Sequence, residues 1–110
     1  FTHQNAEWLG NEAPNFGRDW GTDADHAAVR AHLEQAADWG ARHGYALQLG
    51  EFGVNRTLPI QQRAMWTRAV REACEAGGMA WCVWDFAGAF PIWDRENSAL
   101  IPLMRDALFA

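Results

Sequence analysis

The sequence predicts an α/β fold built on parallel strands, and three observations carry that expectation. Helical and extended patterns alternate along the chain, each extended run is almost wholly apolar, and glycine or proline punctuates every junction. A strand that is apolar on both faces is one covered on both, as in a parallel sheet with crossover helices. The chain has 110 residues, which allows one domain at most. Only two runs read as confident strands, whereas a stand-alone doubly wound domain wants about five. Neighbouring strands are therefore expected from outside these residues.

Residues 1–22 are rich in Gly, Asn and Trp without a sustained period, which predicts a long loop with Pro14 as a stop and Gly10, Gly17 and Gly21 as turn points. Loops of that length inside compact domains usually carry function. From Asp23 an amphipathic helix is expected over 23–43, with Val29, Leu33, Ala36 and Gly40 inward, Thr22 or Asp23 as its cap and Gly44 as its end. A strand is expected over 45–51, where Leu47, Leu49 and Glu51 share a face if side chains simply alternate, leaving Gln48 toward the helices. A second helix over 59–77 starts at Pro59, turns Trp66, Val70, Ala73 and Gly77 inward, and leaves Arg63, Arg68, Arg71, Glu72 and Glu75 wet. A strand over 79–86 and a last helix over 98–109, with Pro102 near its first turn, complete the order.

Composition narrows the function. Apolar residues make up 49% and charged residues 21%, so the chain is globular in character, and no run approaches the roughly 18 apolar residues of a membrane span. All nine basic residues are arginine and the acids number fourteen, a net charge of −5 that repels a phosphate backbone. Neither nucleic acid nor a membrane is an expected partner. Cys74 and Cys82 are too few and wrongly spaced for a disulfide scaffold or a zinc ribbon, and both are expected as buried thiols. Phe1-Thr2-His3-Gln4-Asn5 shows no export signal, so the chain is expected to be cytoplasmic or to have lost its beginning. His3, His26, His32 and His43 lack the spacing of a metal helix, and no phosphate-cradling glycine loop or Gly-x-Ser-x-Gly elbow is present, so neither a metal nor another cofactor is expected.

The chemistry-bearing candidates gather at strand ends. Glu51, between Gly50 and Gly53, falls at the carboxyl end of its strand, where α/β folds place ligands, and small neighbours let a substrate approach while Phe52 excludes water. Trp84 arrives at the same end on the next strand, sharing a face with Ala80, Cys82 and Phe86. An indole beside a carboxylate suits a sugar ring, whose C–H face stacks on the aromatic plane. Phe90 and Trp93 either extend that platform or anchor their loop. His3, Gln4, Glu7 and Trp8 have the mixed polar and aromatic character of a cleft rim.

Taken jointly, Phe1-Thr2-His3-Gln4-Asn5-Ala6-Glu7-Trp8, Gly50-Glu51-Phe52-Gly53 and the run from Trp81 through Asp94 resemble the carboxyl-terminal part of a glycoside hydrolase family 5 cellulase, over essentially the whole chain. The resemblance implies a (β/α)8 TIM barrel, of which these residues hold the segment from the end of the sixth strand to the eighth helix. It implies a retaining endo-β-1,4-glucanase, in which one glutamate forms a glycosyl-enzyme ester while a second, about 5–5.5 Å away, protonates the leaving oxygen and then activates water. On the Gly-Glu-Phe-Gly match Glu51 is the nucleophile. Trp84 becomes the platform at the cleavage point, and His3, Trp8 and Phe90 line the cleft. The fourth-strand Asn-Glu motif of the acid/base is not matched here, Asn5 replaces the usual glycine, and Pro91-Ile92-Trp93 replaces a Gly-aliphatic-Tyr turn.

The expected partners are thus a β-linked polysaccharide or oligosaccharide and the amino-terminal part of the barrel, and the family's polymeric substrates imply a secreted or periplasmic protein. The chain by itself is expected to be inactive. The rival reading is a tryptophan-rich carbohydrate-binding module without catalysis, which requires a β-sandwich in place of the helical stripes. A flavodoxin-like binding domain requires a phosphate loop that the sequence lacks.

Overall fold

A computed structural model of the chain describes residues 19–110. The element order is α1 (Asp23–His43), β1 (Gln48–Phe52), α2 (Ile60–Ala76), β2 (Ala80–Val83), β3 (Trp93–Asp94), β4 (Ala99–Leu100) and α3 (Pro102–Phe109). Strands β1 and β2 pair in parallel, and α2, which connects them, packs on both while contacting α1 on one side and α3 on the other. The result is a helix layer over a two-stranded parallel sheet, so the β-sandwich that a non-catalytic module requires is not what the described residues form.

Local chemistry explains the helix ends. Thr22 accepts from the Asp25 N–H while the Asp25 carboxylate takes the Thr22 N–H, a reciprocal cap that satisfies two otherwise orphaned donors. At the other end Gly44 adopts a left-handed φ of 72°, which costs a residue without a β-carbon little. Helix α3 starts with Pro102, whose missing N–H would have had no partner in the first turn.

The core lies between the helices and one face of the sheet. Val29 and Leu33 from α1, Trp66, Val70 and Cys74 from α2, Phe52 and Val54 from the end of β1, and Met104 and Leu108 from α3 are all buried in it. Phe52 sets its ring 6.2 Å from that of Trp66 and 6.0 Å from that of Trp81, an aromatic cluster joining sheet to helix. Phe52 is therefore a core residue and does not border the Glu51 carboxylate as the sequence suggested.

Several expectations change. The second strand ends at Val83, and the stretch before Pro102 forms the short antiparallel pair β3–β4 where the start of a helix was expected. Arg63 and Arg71, expected in water, are buried at 5% and 8% exposure. Their guanidinium groups serve main-chain carbonyls that α3 and the preceding loop leave open, which gives a buried cation its hydrogen bonds. Cys74 is buried, whereas Cys82 is exposed because it stands on the face of β2 that no helix covers.

Candidate active site

A bulge in β1 decides where Glu51 points. Gln48 and Leu49 pair with Ala80 and Trp81, but the next partner of β2, Val83, meets Phe52, so β1 carries one residue more than β2 between those pairs. Leu49 and Phe52 consequently both pack on the helix layer, and Gly50 and Glu51 are both exposed. Simple alternation would have kept Glu51 with Leu47 and Leu49, which pack against the core. The extra residue moves the carboxylate to the uncovered face. Gln48 is on that face too, not toward the helices, and its Nε2 donates to Cys82 Sγ at 3.0 Å. The sequence reading reversed inside and outside at Leu47 to Leu49, because the leucines are what the helices cover.

Strand β2 brings the aromatic partner to the same end. Trp81 and Val83 pack on the core, Ala80 and Cys82 are exposed, and Trp84 continues the exposed set at 52%. The Trp84 N–H donates to the Phe52 carbonyl at 2.7 Å, which ties the residue after Glu51 directly to the platform candidate. Because the strands are parallel, Glu51 and Trp84 both stand at their carboxyl ends. The Trp84–Asp85 peptide is cis.

The loop after β2 is held by its own polar groups. Asp85 exchanges main-chain and side-chain contacts with Phe90: its N–H donates to the Phe90 carbonyl at 3.0 Å, and its Oδ2 accepts the Phe90 N–H at 3.3 Å. Oδ1 takes the Gly88 N–H at 2.5 Å. Phe90 is half-buried in this closed loop. Phe86, 58% exposed, stacks on Trp93 with ring centroids 5.2 Å apart, so Trp93 backs an exposed aromatic ring two residues after Trp84 in sequence. Arg63 closes the loop from below by donating to the Pro91 carbonyl; burial pushes its guanidinium below the usual arginine range, and the Asp85 carboxylate offsets only part of that.

The structure thus brings Glu51 and Trp84 to one end of one sheet, with Phe90 in the loop beside them. His3 and Trp8 lie outside the described residues. Asp85, Phe86 and Arg63 were not singled out as site residues. The signals were an Asp-x-x-Gly turn at 85–88 and the i, i+4 series Arg63, Thr67, Arg71 beside the apolar stripe. Among the described residues no group of three His, Cys, Asp or Glu side chains could hold a metal ion, and no helix is long and apolar enough to cross a membrane.

No family model matches the chain, and neither does any curated protein. Solved structures match along its whole length. A hyperthermophilic endo-β-1,4-glucanase solved with its substrate is 32% identical and superposes with a TM-score of 0.83, over 100% of this chain and 36% of the other. The chain belongs to glycoside hydrolase family 5. A second family 5 match is endoglucanase Cel5A of Thermotoga maritima, 28% identical with a TM-score of 0.84, over 99% of this chain and 35% of that one. Structures of the Thermotoga enzyme have been determined with cellobiose and with mannotriose. The family 5 chain accordingly spans about a third of the length of these barrels and is similar to their carboxyl-terminal part. Its β1 and β2 are parallel strands of a TIM-barrel architecture, with α1, α2 and α3 from the surrounding helix layer.

Proposed function

We propose that this chain supplies the nucleophile and one wall of the substrate cleft of a retaining endo-β-1,4-glucanase. Glu51 attacks the anomeric carbon as the glycosidic C–O bond breaks and the leaving oxygen takes a proton from a second carboxyl group; water, deprotonated by that same group, then hydrolyses the glycosyl-enzyme ester and frees Glu51. Trp84 lies under the sugar at the cleavage point, with Phe90, His3 and Trp8 along the cleft. The observation that carries this reading is the β1 bulge, which turns Glu51 onto the open face of the sheet at the same end as the exposed Trp84 indole. The one Asn-Glu pair in the sequence, Asn11-Glu12, falls in the segment read as the loop after the sixth strand and not at the end of the fourth, so the reading assigns the acid/base to the amino-terminal part of the barrel. The cellobiose and mannotriose bound by Cel5A support a β-linked glucan or mannan as substrate. A polymeric substrate of that kind favours a secreted or periplasmic enzyme.

The test joins this chain to the part of Cel5A that it does not match and treats the completed barrel with a 2-deoxy-2-fluoro cellobioside. Labelling at Glu51 is expected, and Glu51→Gln is expected to lower turnover of carboxymethylcellulose roughly a thousandfold or more. A label on another residue, or an Glu51→Gln barrel with undiminished turnover, would refute the assignment.

A further inference from the structure

Arg63 is 5% exposed, and among the described residues no carboxylate lies within ion-pair distance of it. It donates to the Pro91 carbonyl, but its buried Nε has no acceptor. The Asp85 carboxylate is close enough to favour its charge, yet both Asp85 oxygens are already taken by the Gly88 and Phe90 N–H groups. A buried guanidinium compensated this incompletely is costly, and a bound anion relieves that cost.

Arg63 lines a concavity of about 450 Å³ together with Arg56, Arg95 and the Trp93 ring. The two acids on its wall, Asp94 and Glu96, do not cancel three arginines. The Asp94 carboxylate is held by Asn97 Nδ2 at 2.6 Å and by the N–H groups of Glu96 and Asn97, and Glu96 is exposed to water. Helix α2 also opens on this concavity at Ile60, with no side-chain cap and no acid in its first turn, so the positive end of its dipole is uncompensated there.

We propose that this concavity binds a small oxyanion, either the carboxylate of a uronic acid or a free anion of similar size, between Arg56, Arg63 and Arg95. Arginine forks match the paired oxygens of a carboxylate or sulfate, and the Trp93 ring gives a sugar a surface to lie on. Glu51 does not line this concavity, and the proposal does not rest on the glucanase reading.

The test follows the side-chain Nε–H resonance of Arg63 in the ¹⁵N-labelled barrel completed with the remainder of Cel5A during titration with sodium sulfate, sodium glucuronate and glucose, with ionic strength held by sodium chloride. A saturable shift with both anions and none with glucose is expected, weakened about tenfold in Arg56→Ala/Arg95→Ala. Both substituted arginines are exposed, and an unchanged circular dichroism spectrum checks the fold. Saturation at lower glucuronate than sulfate supports the acidic sugar as ligand, and the reverse order supports the free anion. A shift that never saturates, or saturation unaltered in the double variant, overturns the site.

Discussion

Residue 53 has to be glycine because the Trp84 carbonyl occupies the volume that any β-carbon there would fill. That contact is with rigid main chain, so no side-chain rotation relieves it. Gly53→Ala is expected to destabilise the chain by about 3 kcal/mol, read as a lower urea midpoint, with the exposed Trp84 indole changing its fluorescence as the two strand ends separate. The sequence reading gave Gly53 to the approach of a substrate, whereas the Trp84 main chain is what fills that side; Glu51 and Trp84 were legible as a carboxylate and an indole at strand ends. The direction of Glu51 was not. Alternation alone gave it to the face of Leu47 and Leu49, and a one-residue bulge, which depends on where β2 stops pairing, gave it to the other.

Helix α2 shows the same division at the scale of an element. Its span was visible from Pro59 at the start, the apolar stripe of Trp66, Val70 and Ala73, and the closing glycines, and the helix runs Ile60–Ala76. Its arginines were misjudged, because a helix wheel assigns charges to water without knowing what the neighbouring helix leaves open. Arg71 donates from Nε to the Ala107 carbonyl at 2.8 Å and from a terminal nitrogen to the Ala110 carbonyl at 3.2 Å, so it caps the negative end of α3. Glu75 one turn on and the adjacent Glu72 hold the guanidinium at 2.6 and 3.3 Å. Arg71→Leu is expected to cost about 2 kcal/mol in chemical denaturation, with amide exchange accelerating first in residues 107–110. Arg105→Ala removes an exposed bridge to Asp106 on the same helix and is expected to change stability by less than about 0.5 kcal/mol. Equal effects of the two substitutions would contradict the capping role.

At the scale of the whole molecule the decisive feature is a sheet of two strands with its far face uncovered. Gln48, Glu51, Cys82 and Trp84 all stand on that face, and both outer edges of the β1–β2 pair lack a neighbouring strand among the described residues. Closing a barrel takes strands on both sides. The purified chain is expected to show no measurable turnover of carboxymethylcellulose and to self-associate with rising concentration in sedimentation, whereas the barrel completed with the remainder of Cel5A is expected to be active and monodisperse. Clear hydrolysis by the chain alone, lost in Glu51→Gln, would show that one third of a barrel suffices.

By itself the sequence determined the order of the three helices and the two parallel strands, the stop at Gly44, and the presence of an acid and an indole at neighbouring strand ends, since each of these is written in spacings of a few residues. Tertiary structure alone decided which way Glu51 faces, that Phe52 belongs to the core, and that Arg63 and Arg71 are buried. The hydrogen bonds that hold the two arginines reach partners 28 to 39 positions away, from Arg63 to Pro91 and from Arg71 to Ala110. No local pattern encodes contacts over such separations.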